Sequence, residues 1–313
     1  MKARGSVFQI MLGLLVLGTL VVVAGCGGSK QFKTETLNSA EAVDAQAGKY
    51  WKREGWWKLP ATAKKVAITE FTVEFVTAVG TQSEGLGIVP IMQMAGVGKK
   101  QYQYDEAMMQ TLPTELYDLY VQELSKAGFE VVPAQAVREA PSYQKVKLSE
   151  EGDKTKSSST SGHGWRHHHT QRGELYSAHG LVAADDSWFA SGKNAINTLN
   201  AIGEVGADTG LRVRMKVGLD DKGRATFWPG ATVYAFGDVK LSKWSTPEKP
   251  AYEFKVSGVM TSKQMLYFSE PVVDSKEFQA FKGDVFHVQG APFATAVRGV
   301  FPQFASLCVY ALR

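Results

Sequence analysis

From Lys65 the stretch KVAITEFTVEFVTAV alternates apolar and polar positions, with Phe71, Val73 and Phe75 on one side and Thr72 and Glu74 on the other. That is the two-residue period of a β-strand. A helical period follows. Leu112, Leu116, Leu119, Tyr120 and Leu124 fall on one face, Thr111 stands as the capping residue, Pro113 fits the first turn, and Gly128 supplies the stop. Phe129–Pro133 then predicts a short strand and Ala134–Ala140 a short helix halted by Pro141. Strand, helix and strand in this order imply a crossover onto a parallel or mixed sheet.

The second half of the chain repeats these signals. Ile196, Leu199 and Ile202 place a helix over Asn194–Glu204, closing near Gly203 and Gly206. Leu211, Val213, Met215, Val217 and Leu219 alternate with Arg212, Arg214, Lys216 and Gly218, which predicts a strand with one apolar and one basic face. Asp221-Lys222-Gly223 is a turn, and Thr232–Trp244 and Tyr252–Met260 continue the alternation as an antiparallel meander. After Gly290, residues Phe293, Val297, Val300, Phe301 and Phe304 recur at helical spacing, with Pro302 as a kink, and predict a helix that caps the sheet.

Three stretches fall outside this pattern. Residues 27–49 are small and polar, the composition of a tether. The glycine-rich stretch 80–100 carries Gly98-Lys99-Lys100 where a phosphate loop needs Ser or Thr, and Gln93 where it needs Gly, so it excludes that motif. Residues 145–175 are charged, then Ser/Thr-rich, then His-rich, and read as a mobile polar insertion. Near residue 50, Tyr50, Trp51, Trp56 and Trp57 are interleaved with Lys52, Arg53 and Lys58, which suits either a folded edge or a membrane interface.

At the N-terminus Lys2 and Arg4 precede an uncharged run from Gly5 to Gly25, and Val23-Ala24-Gly25-Cys26 ends it. A basic start, an apolar middle and small residues before a cut are the parts of an export signal, and a cysteine directly after the cut offers its thiol for acylation. The segments expected are therefore a signal peptide over 1–25, a flexible tether over 26–49 and one α/β domain over 50–313, with Cys26 as the lipidation site. Without Lys2 and Arg4 there remain 33 basic against 31 acidic residues, which gives no case for nucleic acid as a partner. Cys308 has only Cys26 for company, so no disulfide is expected, and its apolar surroundings predict a buried thiol.

Candidate chemistry is sparse. His163, His167, His168, His169 and His179 are five of the six histidines and form a candidate metal set, although no HExxH pattern or partner cysteine accompanies them. The stripe of Arg212, Arg214 and Lys216 suits either an anionic partner or the wet face of a sheet. There is no GxSxG nucleophile motif. The reading is of a non-enzyme without a cofactor.

The order of Val66–Phe71, the helix ending Leu124-Ser125-Lys126-Ala127-Gly128, the strand Phe129–Pro133, the helix before Gly206-Ala207-Asp208 and the alternating strands behind it resembles envelope lipoproteins of the curli-secretion-channel (CsgG) type. It is also similar to penicillin-binding-protein activators and the TolB N-terminal domain. The resemblance implies an α+β fold: a mixed sheet with an antiparallel meander, helices on one or both faces, and a lipid-anchored N-terminus. It implies a protein of the bacterial envelope that acts in secretion or assembly through contacts with other envelope proteins or with its own copies. By the same resemblance, Gly27 after the cysteine implies the outer membrane. A channel subunit would need strands of roughly 9–11 residues with a continuous lipid-facing series, a length that Thr232–Trp244 and Tyr252–Met260 approach. The alternative reading is a periplasmic or surface lipoprotein that binds metal through the His-rich insertion.

Overall fold

The structure is a computed structural model, and it describes residues 30–31, 51–54, 63–84, 99–150, 152–161, 166–185, 188–219, 223–228, 230–236, 254–262, 266–271, 273–277 and 284–311. The export signal and Cys26 lie outside the described residues, as do residues 85–98 of the glycine-rich stretch. Among the described residues the strands are β1 (Lys30–Gln31), β2 (Trp51–Glu54), β3 (Lys65–Glu84), β4 (Lys99–Gln103), β5 (Glu130–Val131), β6 (Lys154–Ser161), β7 (Arg166–Ser177), β8 (Thr209–Leu219), β9 (Arg224–Trp228), β10 (Gly230–Phe236), β11 (Phe254–Ser262), β12 (Leu266–Pro271), β13 (Val273–Glu277) and β14 (Asp284–Val288). The helices are α1 (Glu106–Lys126), α2 (Ala134–Glu139), α3 (Trp188–Glu204) and α4 (Gly290–Ala311). The fold is α+β, built on a mixed sheet whose main path runs β1-β12-β9-β8-β3-β4-β14-β13.

β3 is the axis of the molecule. Its first half pairs in parallel with β5 and β8, and from Thr72 onward it pairs antiparallel with β7. Phe71, Val73 and Phe75 are fully buried on the face covered by α1 and α4, where Phe71 meets Tyr117, Tyr120 and Phe301 edge-on. The opposite face of the lower half lies under α3. A Cβ on Gly210 would run into Ile202 Cδ1, so glycine is what lets this helix sit on the sheet. The antiparallel meander is present as β8, β10 and β11, with β9 paired to the far end of β8.

The helix ends follow from local chemistry. Asp105 caps α1, its Oδ1 accepting from the Met108 amide at 2.8 Å, while Thr111 donates to the Ala107 carbonyl inside the helix. The capping role expected for Thr111 thus belongs to a residue six positions earlier, and Pro113 sits in the helix interior. Gly128 closes α1 at φ 84°, with Phe129 N–H bonding the Leu124 carbonyl and Gly128 N–H that of Ser125, a Schellman motif. Gly206 repeats the device at the end of α3 with φ 65°. On α3 the buried residues include Asn194, Asn197, Leu199 and Ile202, while Ile196, expected on the apolar face, is 48% exposed. The two asparagines turn inward because backbone groups await them. Asn194 bonds the Lys147 N–H and the carbonyls of Lys147 and Asp185, and Asn197 donates to the Lys145 carbonyl.

Residues 145–175 depart most from expectation. They contain β6 and most of β7, a hairpin in unbroken register from Lys154↔Glu174 to Ser161↔His167, and β7 ladders onto β3. Hydrophobic periodicity does not register such strands, because their ordering comes from main-chain bonds to a neighbour that is already in place. The tether reading over 26–49 is modified at Lys30–Gln31, which pairs in parallel with Leu266 and Tyr267. No helix among the described residues is long and apolar enough to cross a membrane, a statement that does not bear on strands.

Candidate functional site

The polar half of β3's alternation meets the basic half of β8's. The parallel register sets Glu70 beside Arg212, Thr72 beside Arg214 and Glu74 beside Lys216. Arg212 grips Glu70 Oε2 through Nε and Nη2, both at 2.7 Å, and Arg214 Nε bonds Oε1 at 2.7 Å. Thr72 donates to the same Oε1 at 3.1 Å. Glu70 is 1% exposed. Such burial is tolerable because both oxygens are occupied by charged donors, which offset the cost of leaving water. One step along, Lys216 lies 3.1 Å from Glu74 Oε1, and Thr155 of β6 donates to that oxygen at 2.6 Å. Glu74 crosses over Gly173, where a Cβ would come 2.7 Å from its Oε1. The basic stripe thus has internal partners on β3. The signal that could have revealed it was in the sequence: two strands with complementary charges at matched two-residue spacing.

Around this cluster Tyr143 donates to the Thr69 carbonyl at 3.0 Å, and burial followed by the nearby Glu70 charge pushes its hydroxyl pKa up. On the other face Tyr120 Oη and Cys308 Sγ share a hydrogen bond of 2.9 Å. Burial pushes the Cys308 thiol up to about 12, and the bond from Tyr120 partly counters it. A thiol this basic is neutral at physiological pH and is a poor nucleophile.

Beyond Val76, β3 carries β4 on one edge and the β6–β7 hairpin on the other, forming an arm of the sheet. A cleft of about 710 Å³ opens where this arm meets the body, lined by Gln101 and Gln103 of β4, Lys154 of β6, Arg172 and Glu174 of β7, and Met109 of α1 among others. The side chains of Lys154, Arg172 and Glu174 make no ion pair among the described residues, although Lys154 and Glu174 are directly opposed in the ladder.

The described candidate histidines fall at two places along the chain's path. His167, His168 and His169 are consecutive positions of β7, opposite Ser83, Gln82 and Thr81, and consecutive strand positions belong to alternate faces of a sheet. Ser177, two residues before His179, lies about 26 Å from His169 along the strand. His179 itself occupies a turn at φ 49°, edge-on to Tyr117 and 3.6 Å from Asp118 of α1. Its carbonyl accepts from Arg138. It ties α1 to α2, well away along the strand from the other three. His163 lies outside the described residues, and no group of three or more metal-ligating side chains occurs among the described residues.

No family model, curated protein or solved structure matches this chain.

Proposed function

We propose that this chain is a lipid-anchored, non-enzymatic protein of the bacterial envelope, held at the outer membrane through Cys26, which acts in secretion or envelope assembly through protein contacts made by the sheet arm. The observation that carries the reading is the length of β3. Its 20 residues span about 65 Å, and the stretch beyond Val76 carries β4 on one edge and the β6–β7 hairpin on the other. An arm stiffened by ladders on both edges presents main-chain and polar side-chain surface away from the core, and the sequence pattern Val23-Ala24-Gly25-Cys26 supplies an anchor that would hold it at a membrane. The self-paired charges of Glu70, Arg212, Arg214, Glu74 and Lys216 stiffen the base of the arm.

The test is site-specific photo-crosslinking in intact cells. A photoreactive residue at Ser158 in β6 should give crosslinks to envelope proteins or to a second copy, and one at Glu123 on α1 should give few. Equal, weak crosslinking at both positions would remove the arm from consideration.

A further inference from the structure

We infer that the cleft at the base of the arm binds a short peptide carrying both a free carboxylate and a free ammonium group. The inference begins with unspent charge. On the sheet stripe at Glu70 and Glu74 every charged side chain is matched by a neighbour. In the cleft, Lys154 and Arg172 present two cations and Glu174 one anion, with no ion pair among the described residues. Lys154 and Glu174 stand opposite one another across the β6–β7 ladder, and Arg172 lies two residues from Glu174 on the same strand, so the three charges occupy one small area. A ligand that bears both signs can satisfy all three, with its carboxylate between Arg172 and Lys154 and its ammonium at Glu174.

The rest of the lining suits a peptide backbone. Gln101 and Gln103 carry side-chain amides with no hydrogen-bond partner among the described residues, and each amide offers the donor and acceptor that a peptide group requires. Met109 adds an apolar wall for a small side chain. The volume of about 710 Å³ falls within the roughly 300–1,000 Å³ range of ligand sites. A neutral saccharide would partly desolvate three charges and return no countercharge, which is costly.

Calorimetry on the full-length chain in detergent decides the matter, with three probes: trialanine with free termini, its N-acetylated and C-amidated form, and diacetylchitobiose. Free trialanine should bind one-to-one, and the capped form should bind at least about tenfold more weakly, the scale of one lost charge-assisted hydrogen bond. Arg172→Gln and Glu174→Gln should each weaken the free peptide by a similar factor, while Lys147→Met, outside the cleft, should leave it unchanged. The comparison of free with capped peptide on the unmodified chain stands even where a variant fails to fold. No heat with free trialanine at millimolar concentration, equal binding of both peptides, or tighter binding of the disaccharide would overturn the assignment.

Discussion

Glu70 of β3 and Arg212 of β8 are 142 residues apart in sequence and joined by two contacts of 2.7 Å, with the carboxylate almost wholly buried. The pair fixes the register of the parallel β3–β8 ladder, because a one-residue slip would turn the carboxylate to the apolar face. Glu70→Gln keeps the shape and removes the charge, leaving Arg212 and Arg214 uncompensated. We expect a loss of about 3–5 kcal/mol in denaturant unfolding. A combined Glu70→Met, Arg212→Met, Arg214→Met variant should lose far less. Equal losses in both would show that the pairing does not set the register.

Gly210 and Ile202 form a second coupled pair. Gly210→Ala brings a methyl group against Ile202 Cδ1 and Cγ1, and the cost should be about 1–3 kcal/mol, as for overpacking elsewhere. Ile202→Val removes the colliding methyl group. The double variant should be more stable than the sum of the single losses predicts, because the two changes relieve the same collision. Strict additivity in a double-mutant cycle would place α3 differently on the sheet.

The buried hydroxyls and thiol predict alkaline sensitivity. The Cys308 thiol rises from 9.0 to about 12 and the Tyr117 hydroxyl from 10.0 to about 12, each chiefly through burial, and burial also holds the Tyr120 hydroxyl well above its ordinary value. A folded-state pKa raised above the unfolded one gives stability that is complete below the unfolded value and is lost as pH rises. Unfolding free energy should therefore be flat up to about pH 9 and fall steadily towards pH 12, and thiol reagents should reach Cys308 only after denaturation. Rapid labelling of Cys308 in the native protein at neutral pH would contradict its burial.

Metal affinity should be weak and should not depend on His179. The strand register holds that residue apart from His167, His168 and His169, so His179→Ala should leave zinc titrations unchanged, whereas replacing the other three should abolish whatever binding exists. One-to-one, submicromolar binding lost on His179→Ala would require a different path for β7.

Much of the body was legible because burial writes itself into periodicity. The alternation of Phe71, Val73 and Phe75, the leucine face of α1, the basic-apolar alternation of β8 and the phenylalanines of α4 each named their element, and Gly128 and Gly206 named its end. What was not legible depends on partners. Thr111 and Asp105 are both good capping residues, and the choice between them was made by Met108 and Met109, whose burial brings an extra turn into the core. Periodicity places Ile196 inward because an apolar side chain outranks an amide on a hydrophobicity scale. Asn194 and Asn197 took the buried positions because backbone groups at residues 145–147 needed donors and an acceptor. The β6–β7 hairpin carries no apolar series and is specified by the edge of β3. The cleft is assembled from β3, β4, β6, β7 and α1, and no single segment announces it.

The central claim is that the chain is anchored by lipid at Cys26, and intact mass analysis of the protein purified from bacterial membranes tests it most directly. The account predicts a chain that begins at Cys26, lacks residues 1–25 and carries acyl chains on that thiol, with Cys26→Ser accumulating as uncleaved precursor. An unacylated chain, or a Cys26→Ser protein with the mass of a diacylated chain beginning at residue 26, would contradict it.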